Sequence, residues 1–351
     1  MSRRACIPWV IVAALCAPVA RAGSLAYIAN GGANTVSVLD DDGEVIHTIT
    51  VGSGPAAVAV NPAGTRAYVS LSSEVVVIDI RTQTILTTIP GIGPAATGLV
   101  VSPDGTRVYV GSCLSPFVST VTVIDAVNNV FLQGVSAEAA QSCLLHLAVN
   151  PAGTRVYATD TNNGAVLVLD TSDPDAAFLV NTIAGVPSAT GIAVEPGGAR
   201  IFATSFTGPN GSVSIIDASS DTIVDTVTLG GGAVGVAFSP DGSRAYVAEA
   251  GANAVSVLDV EADPVAVVGT VPFAGGPNGV GVSVDGAHVY VASFEFDMVG
   301  LIDTATSTVV HTEPVGHVPY AFDCFVAVRN WFLDDGFESG GFTAWDGFDP
   351  P

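Results

Sequence analysis

Five arginines in this chain are each followed by an aspartate at the end of an apolar run. Arg66, Arg107, Arg155, Arg200 and Arg244 precede Asp79, Asp125, Asp170, Asp217 and Asp259. A guanidinium beside a carboxylate suits acid–base or anion-binding chemistry. Repetition argues against that use, because residues that return in nearly every unit serve the geometry of the unit. The histidines (His47, His146, His288, His311, His317) show no metal-ligand spacing such as His-x-x-x-His. Asp40-Asp41-Asp42-Gly43-Glu44 is acidic but lacks the alternating ligands of a calcium loop, so it reads as an exposed turn. There is no Gly-x-Ser-x-Gly, phosphate loop or dinucleotide fingerprint.

The elements that hold these residues repeat with them. A phrase of β-formers ending in Asp returns seven times, at Asp40, Asp79, Asp125, Asp170, Asp217, Asp259 and Asp303. The spacings are 39, 46, 45, 47, 42 and 44 residues. A period in the forties with β patterning predicts an all-β, seven-bladed propeller with one four-stranded antiparallel blade per repeat. Residues 55–90 show the unit: strand A at 56–60, a Pro-x-Gly turn, strand B at 66–70, strand C at 74–80 and strand D at 84–89. Strand B begins where strand C ends, so each arginine should face its aspartate as a structural ion pair. Residues 25–30 read as a strand B with nothing before it, and 319–326 as a strand A with nothing after it. Together they predict a ring closed by strand A from the C-terminal side and strands B–D from the N-terminal side.

Inner strands crowd the axis of such a ring and need small side chains where they meet. Gly98, Gly191, Gly235 and Gly279 fill one row and Ala59, Ala148, Ala193 and Ala237 another. His146 and Asp323 interrupt these rows. The strand A entry is therefore the candidate ligand site, with Thr97, His146, Thr190, Asn278, His317, Tyr320 and Asp323 around the channel mouth.

Residues 1–22 read as a secretory leader: Arg3 and Arg4, an apolar core at 7–19, then Ala20-Arg21-Ala22. The expected organisation is this leader, a propeller over 23–330 and an acidic, Gly-rich tail over 331–351. No later stretch is long and apolar enough for a transmembrane helix. The formal charge is −23 and there is no lysine; loss of the three leader arginines takes the charge to −26. No basic face is available for phosphates, which excludes nucleic-acid binding. Cys113 and Cys143 fall in loops on one face of the ring, and export favours a disulfide between them. Cys324 falls at a packed strand A position and reads as a buried thiol.

The Pro-x-Gly-x-Arg-x-Tyr-Val phrase, followed by Val-x-Val-Ile-Asp and Gly-x-x-Pro, resembles the YVTN β-propeller repeat over roughly residues 25–327. Phe202 replaces the tyrosine in one copy and His288 the arginine in another. The Thr-Asn ending survives only loosely, as in Ile28-Ala29-Asn30. The repeat occurs in bacterial and archaeal surface-layer and secreted proteins; the resemblance implies a seven-bladed propeller, secreted, periplasmic or at the cell surface of a bacterium, and carries no catalytic motif. Similar propellers occur as lactonases and as cofactor-bearing domains of haem and quinone enzymes. The tail from Asp334 to Trp345 looks like a segment that recurs at the C-terminus of exported Gram-negative proteins, and reads as a flexible end.

The expected function is an exported, monomeric, non-catalytic binding or surface scaffold for a protein or small-molecule ligand, with no cofactor and no metal. The alternative is a lactonase-type hydrolase using His146 as base and Asp323 as its orienter.

Overall fold

The computed structural model describes residues 23–113, 118–139, 141–173, 176–207, 210–320 and 325–329. The expected leader and tail, Asp323 and Cys324 lie outside the described residues. Seven antiparallel sheets succeed one another along the chain. The second has strand A at Ala57–Val60, B at Arg66–Ser70, C at Glu74–Asp79 and D at Thr84–Pro90, within a residue of the ends expected from its turn signals. Five further sheets repeat this meander, with strand A at Ala96–Val101, Leu144–Val149, Ala189–Val194, Ala233–Phe238 and Pro277–Val282. These are blades 3 to 7.

Blade 1 draws on both ends of the ring. Gly23–Asn30, Thr35–Leu39 and Val45–Thr50 are its strands B to D. On its inner side Asn30 pairs with Pro319 and Ala29 with Tyr320, while Ala26 pairs with Val326 and Gly23 with Arg329. Between these short pairings the Tyr27 N–H donates to the Phe325 carbonyl at 3.0 Å.

Local chemistry sets the strand ends. In the A–B turn of blade 2, Asn61 Oδ1 accepts from the N–H groups of Thr65 and Arg66 (2.8 and 3.0 Å). Gly64 there has φ +64°, a dihedral that glycine adopts without a Cβ clash. Strand A is apolar on both faces and buried throughout in blade 2, whereas strand D alternates and is mostly exposed. This gradient puts the inner strands against the axis and the outer ones in water.

The core lies between blades rather than within one. Tyr68 of blade 2 is buried against Leu99, Val108 and Ile124 of blade 3. Tyr109, Tyr157, Phe202 and Tyr290 occupy the equivalent position and are also buried. The small rows follow from the same crowding. A Cβ on Gly191 would stand 2.1 Å from the Val234 carbonyl, and one on Gly235 would stand 2.9 Å from the Gly279 Cα.

Candidate functional site

The repeated arginines and aspartates oppose each other across strands B and C in all five expected pairs. Their side chains do not all meet. Arg244 reaches Asp259 at 2.9 Å. Arg155 instead binds Asp221 of the next blade at 2.9 Å, and Arg200 binds Glu195 of its own blade at 3.0 Å. Arg66 donates to the Ala126 carbonyl of blade 3 at 2.8 Å. These contacts replace the expected pairs Arg155–Asp170, Arg200–Asp217 and Arg66–Asp79. The Arg107 guanidinium donates to the Thr106 carbonyl, and its charge helps to lower the Asp125 pKa.

The reason lies in what the aspartates do. Asp217 accepts from the N–H groups of Ser219 and Ser220 and from both of their hydroxyls. These bonds, the Ser219 hydroxyl foremost, hold its carboxyl down at about 2. Asp125 and Asp170 cap their own C–D turns in the same way and are also lowered, chiefly by Asn128 and Ser172 respectively. Where the turn supplies several bonds, as at Asp170 and Asp217, the opposed arginine binds a different carboxylate.

Strand A entries form the channel mouth. In blades 3 to 7 the A–B register shifts at the start of strand A. Thr97, His146, Thr190 and Asn278 all fall inside these shifts, where a bulge turns side chains away from the regular ladder. Thr97, His146, Thr190 and Tyr320 line one cavity of about 470 Å³, with Pro55, Leu145, Val234 and Val318 as apolar wall. Deeper along the axis lies a second cavity of about 310 Å³, lined by Val149, Val194, Phe238, Val282 and Phe325. His146 lines both. It stands where blades 3, 5, 6 and 7 carry glycine and blade 2 carries Ala57.

The hydroxyls at the mouth also join the blades. Thr97 Oγ1 donates to the Leu144 carbonyl of blade 4. Thr190 Oγ1 donates to the Ala233 carbonyl of blade 6 at 2.8 Å. Asn278 Nδ2 donates to the Pro319 carbonyl of blade 1 at 3.0 Å. These bonds tie the entry of blade 3 to that of blade 4, blade 5 to blade 6 and blade 7 to blade 1. Asn278 is buried, and its Oδ1 has no hydrogen-bond partner, so it offers an acceptor.

Asn278 lines a third cavity, of about 350 Å³, together with Phe206, Phe294 and Tyr320. Tyr320 is shared with the mouth, so the two spaces adjoin. Burial pushes its phenol pKa up. Phe206 and Phe294 are nearly half exposed, and the Phe294 ring centroid is 6.2 Å from that of Tyr320. Sequence reasoning missed these two phenylalanines. The available signal was an aromatic directly after strand B (Ser205-Phe206, Ser293-Phe294), where a loop residue has no core to fill.

His317 does not line these cavities. It lies at the rim with Nδ1 2.9 Å from Asp297, whose carboxyl it holds below the usual range. Asp323, the expected partner of His146, lies outside the described residues. Cys113 and Cys143 form a disulfide across blades 3 and 4.

The model of the YNCE-like beta-propeller family matches residues 5–327. The chain belongs to the YNCE-like beta-propeller family. A stretch of 98 residues is 39% identical to the seven-bladed beta-propeller protein Rv1057 of Mycobacterium tuberculosis (strain ATCC 25618 / H37Rv), over 26% of this chain and 25% of that protein. The chain therefore spans about a quarter of the length of the curated relative it matches. A functionally unknown protein from Desulfotomaculum acetoxidans DSM 771 superposes with a TM-score of 0.72 at 14% identity, covering 85% of this chain and 99% of the other. Kuenenia stuttgartiensis hydrazine synthase superposes with a TM-score of 0.67 at 18% identity, covering 80% and 94%. At these identities the two structures share the fold of this YNCE-like propeller and nothing finer.

Proposed function

We propose that this YNCE-like propeller is an exported, non-catalytic binding protein whose ligand enters the channel mouth at the strand A entries. The observation that carries the reading is the 470 Å³ cavity over His146, adjoined by an aromatic cleft through the shared Tyr320. Its size falls within the range of small-molecule sites, and its apolar wall with a few polar groups is their usual chemistry. The ligand class that fits is a small, largely apolar or aromatic molecule with one or two hydrogen-bonding groups. Asn278 Oδ1 would accept from it, and the His146 ring would meet its inner end. The mouth hydroxyls are poor nucleophiles, because those of Thr97 and Thr190 donate to backbone carbonyls rather than to a base. Export is supported by the leader-like start and by the disulfide, which persists in oxidising compartments.

Ligand-observed NMR with indole and p-cresol tests the site. Both should bind the parent protein, and His146→Ala should weaken them at least fivefold while leaving the melting temperature unchanged. Equal binding to parent and variant would place the ligand elsewhere. Turnover of γ-butyrolactone that disappears in His146→Ala would replace the binding reading by a hydrolytic one.

A further inference from the structure

We propose that Glu44, His311 and Glu313 bind a transition-series divalent cation, zinc foremost, at the outer seam between blade 7 and blade 1. Glu44 ends the acidic turn between strands C and D of blade 1, and His311 and Glu313 lie on strand D of blade 7, Thr308–Pro314. One donor atom from each comes within 4.8 Å of the others. His311 Nε2 is 3.6 Å from Glu44 Oε1 and 3.7 Å from Glu313 Oε2.

Those distances are too long for hydrogen bonds. They are close to the spacing of two ligands on one tetrahedral ion, roughly 3.4 Å when each bond is about 2.1 Å. His311 Nε2 is itself shut off from water and has no hydrogen-bond partner. A ring nitrogen that faces two carboxylates and is hydrogen-bonded to neither stands where a cation could be shared by all three groups.

The surroundings hold this arrangement. The edge of the His311 ring lies 3.0 Å from where a Cβ on Gly43 would be, so a glycine at this turn lets the imidazole approach. Asp40 Oδ1 accepts from the Asp42 and Glu44 N–H groups and fixes the turn. Glu313 Oε1 accepts from the Val45 N–H at 3.4 Å, which leaves Oε2 for the cation. Imidazole beside carboxylates suits zinc and its neighbours, whereas calcium and magnesium prefer oxygen alone. Glu44 is exposed, so water can complete the fourth position. The bound ion would join blade 7 to blade 1 outside the seam where the ring closes.

Zinc titration of untagged, chelator-stripped protein tests the site by calorimetry and by thermal melting. One zinc per chain should bind and raise the melting temperature, with no response to calcium at the same concentration. His311→Ala and Glu44→Gln should each weaken zinc binding at least tenfold, whereas His317→Ala, which removes the rim histidine paired with Asp297, should not. Glu44 is exposed, so its variant reports even if His311→Ala fails to fold. Cobalt should give the intense visible absorption of a tetrahedral site in the parent and lose it in Glu44→Gln. Zinc affinity unchanged in both variants, or no zinc bound at 100-fold excess over protein, would overturn the proposal.

Discussion

Phe325 gives the sharpest test of how the ring is held shut. Its side chain is wholly buried, and its ring occupies the space that a Cβ on Gly281 of blade 7 would take, with atoms at 2.4, 2.7 and 3.0 Å. Phe325→Ala keeps the backbone bond from Tyr27 but removes the ring. Such truncations cost about 3–5 kcal/mol. The lower end applies, because one flank already faces the 310 Å³ cavity and loses less packing. With an unfolding entropy of about 2.1 cal/mol/K per residue, a ring of this size loses ~0.6 kcal/mol per degree. The melting temperature should therefore fall by about 5 °C, still in one transition. Gly281→Ala should destabilise the parent by forcing the phenyl ring aside, yet cost little in the Phe325→Ala background. The double-mutant cycle should show coupling of at least about 1 kcal/mol. Melting within a degree of the parent, or strict additivity in the cycle, would refute the packing argument.

Replacing Cys113 and Cys143 together by serine opens a loop of 30 residues and should cost about 3.5 kcal/mol in the chain-entropy model; equal urea midpoints for variant and parent would sink that estimate. Asp217 is ionised down to about pH 2 in the folded chain, against an unfolded value near 3.9. Its contribution is complete above pH ~4 and is lost as pH falls toward 2. Asp217→Asn should therefore flatten part of the acid decline in melting temperature between pH 4 and 2, and curves that fall in parallel would count against the turn-capping role.

Much of the architecture is readable from local chemistry. The period locates the blades, Pro-x-Gly turns bound the strands, and the small rows mark the axis because backbones there stand within contact of Gly191 and Gly235. Cys113 and Cys143 were legible because strand alternation puts their loops on one face. What was not legible depends on contacts between blades. Arg155 turns to Asp221 rather than to the directly opposed Asp170, a choice between acceptors that no strand register encodes. The grouping of Glu44 with His311 links opposite ends of the sequence and has no spacing signature. The aromatic cleft was hidden because Phe206 and Phe294 look like ordinary loop residues until the ring brings them beside Tyr320.

The pairing of Gly23–Asn30 with Pro319–Tyr320 and Val326–Arg329 also has a kinetic consequence. Blades 2 to 7 each consist of neighbouring chain segments and can zip up locally. Blade 1 has its outer strands first and its inner strand last, nearly the whole ring later. Bringing such distant segments together is the slowest kind of contact to form. Until it does, strand Gly23–Asn30 offers an unpaired inner edge to any chain nearby. The unclosed chain is therefore most exposed to mispairing at this edge of blade 1, and the final residues of the ring act as the latch that ends that exposure.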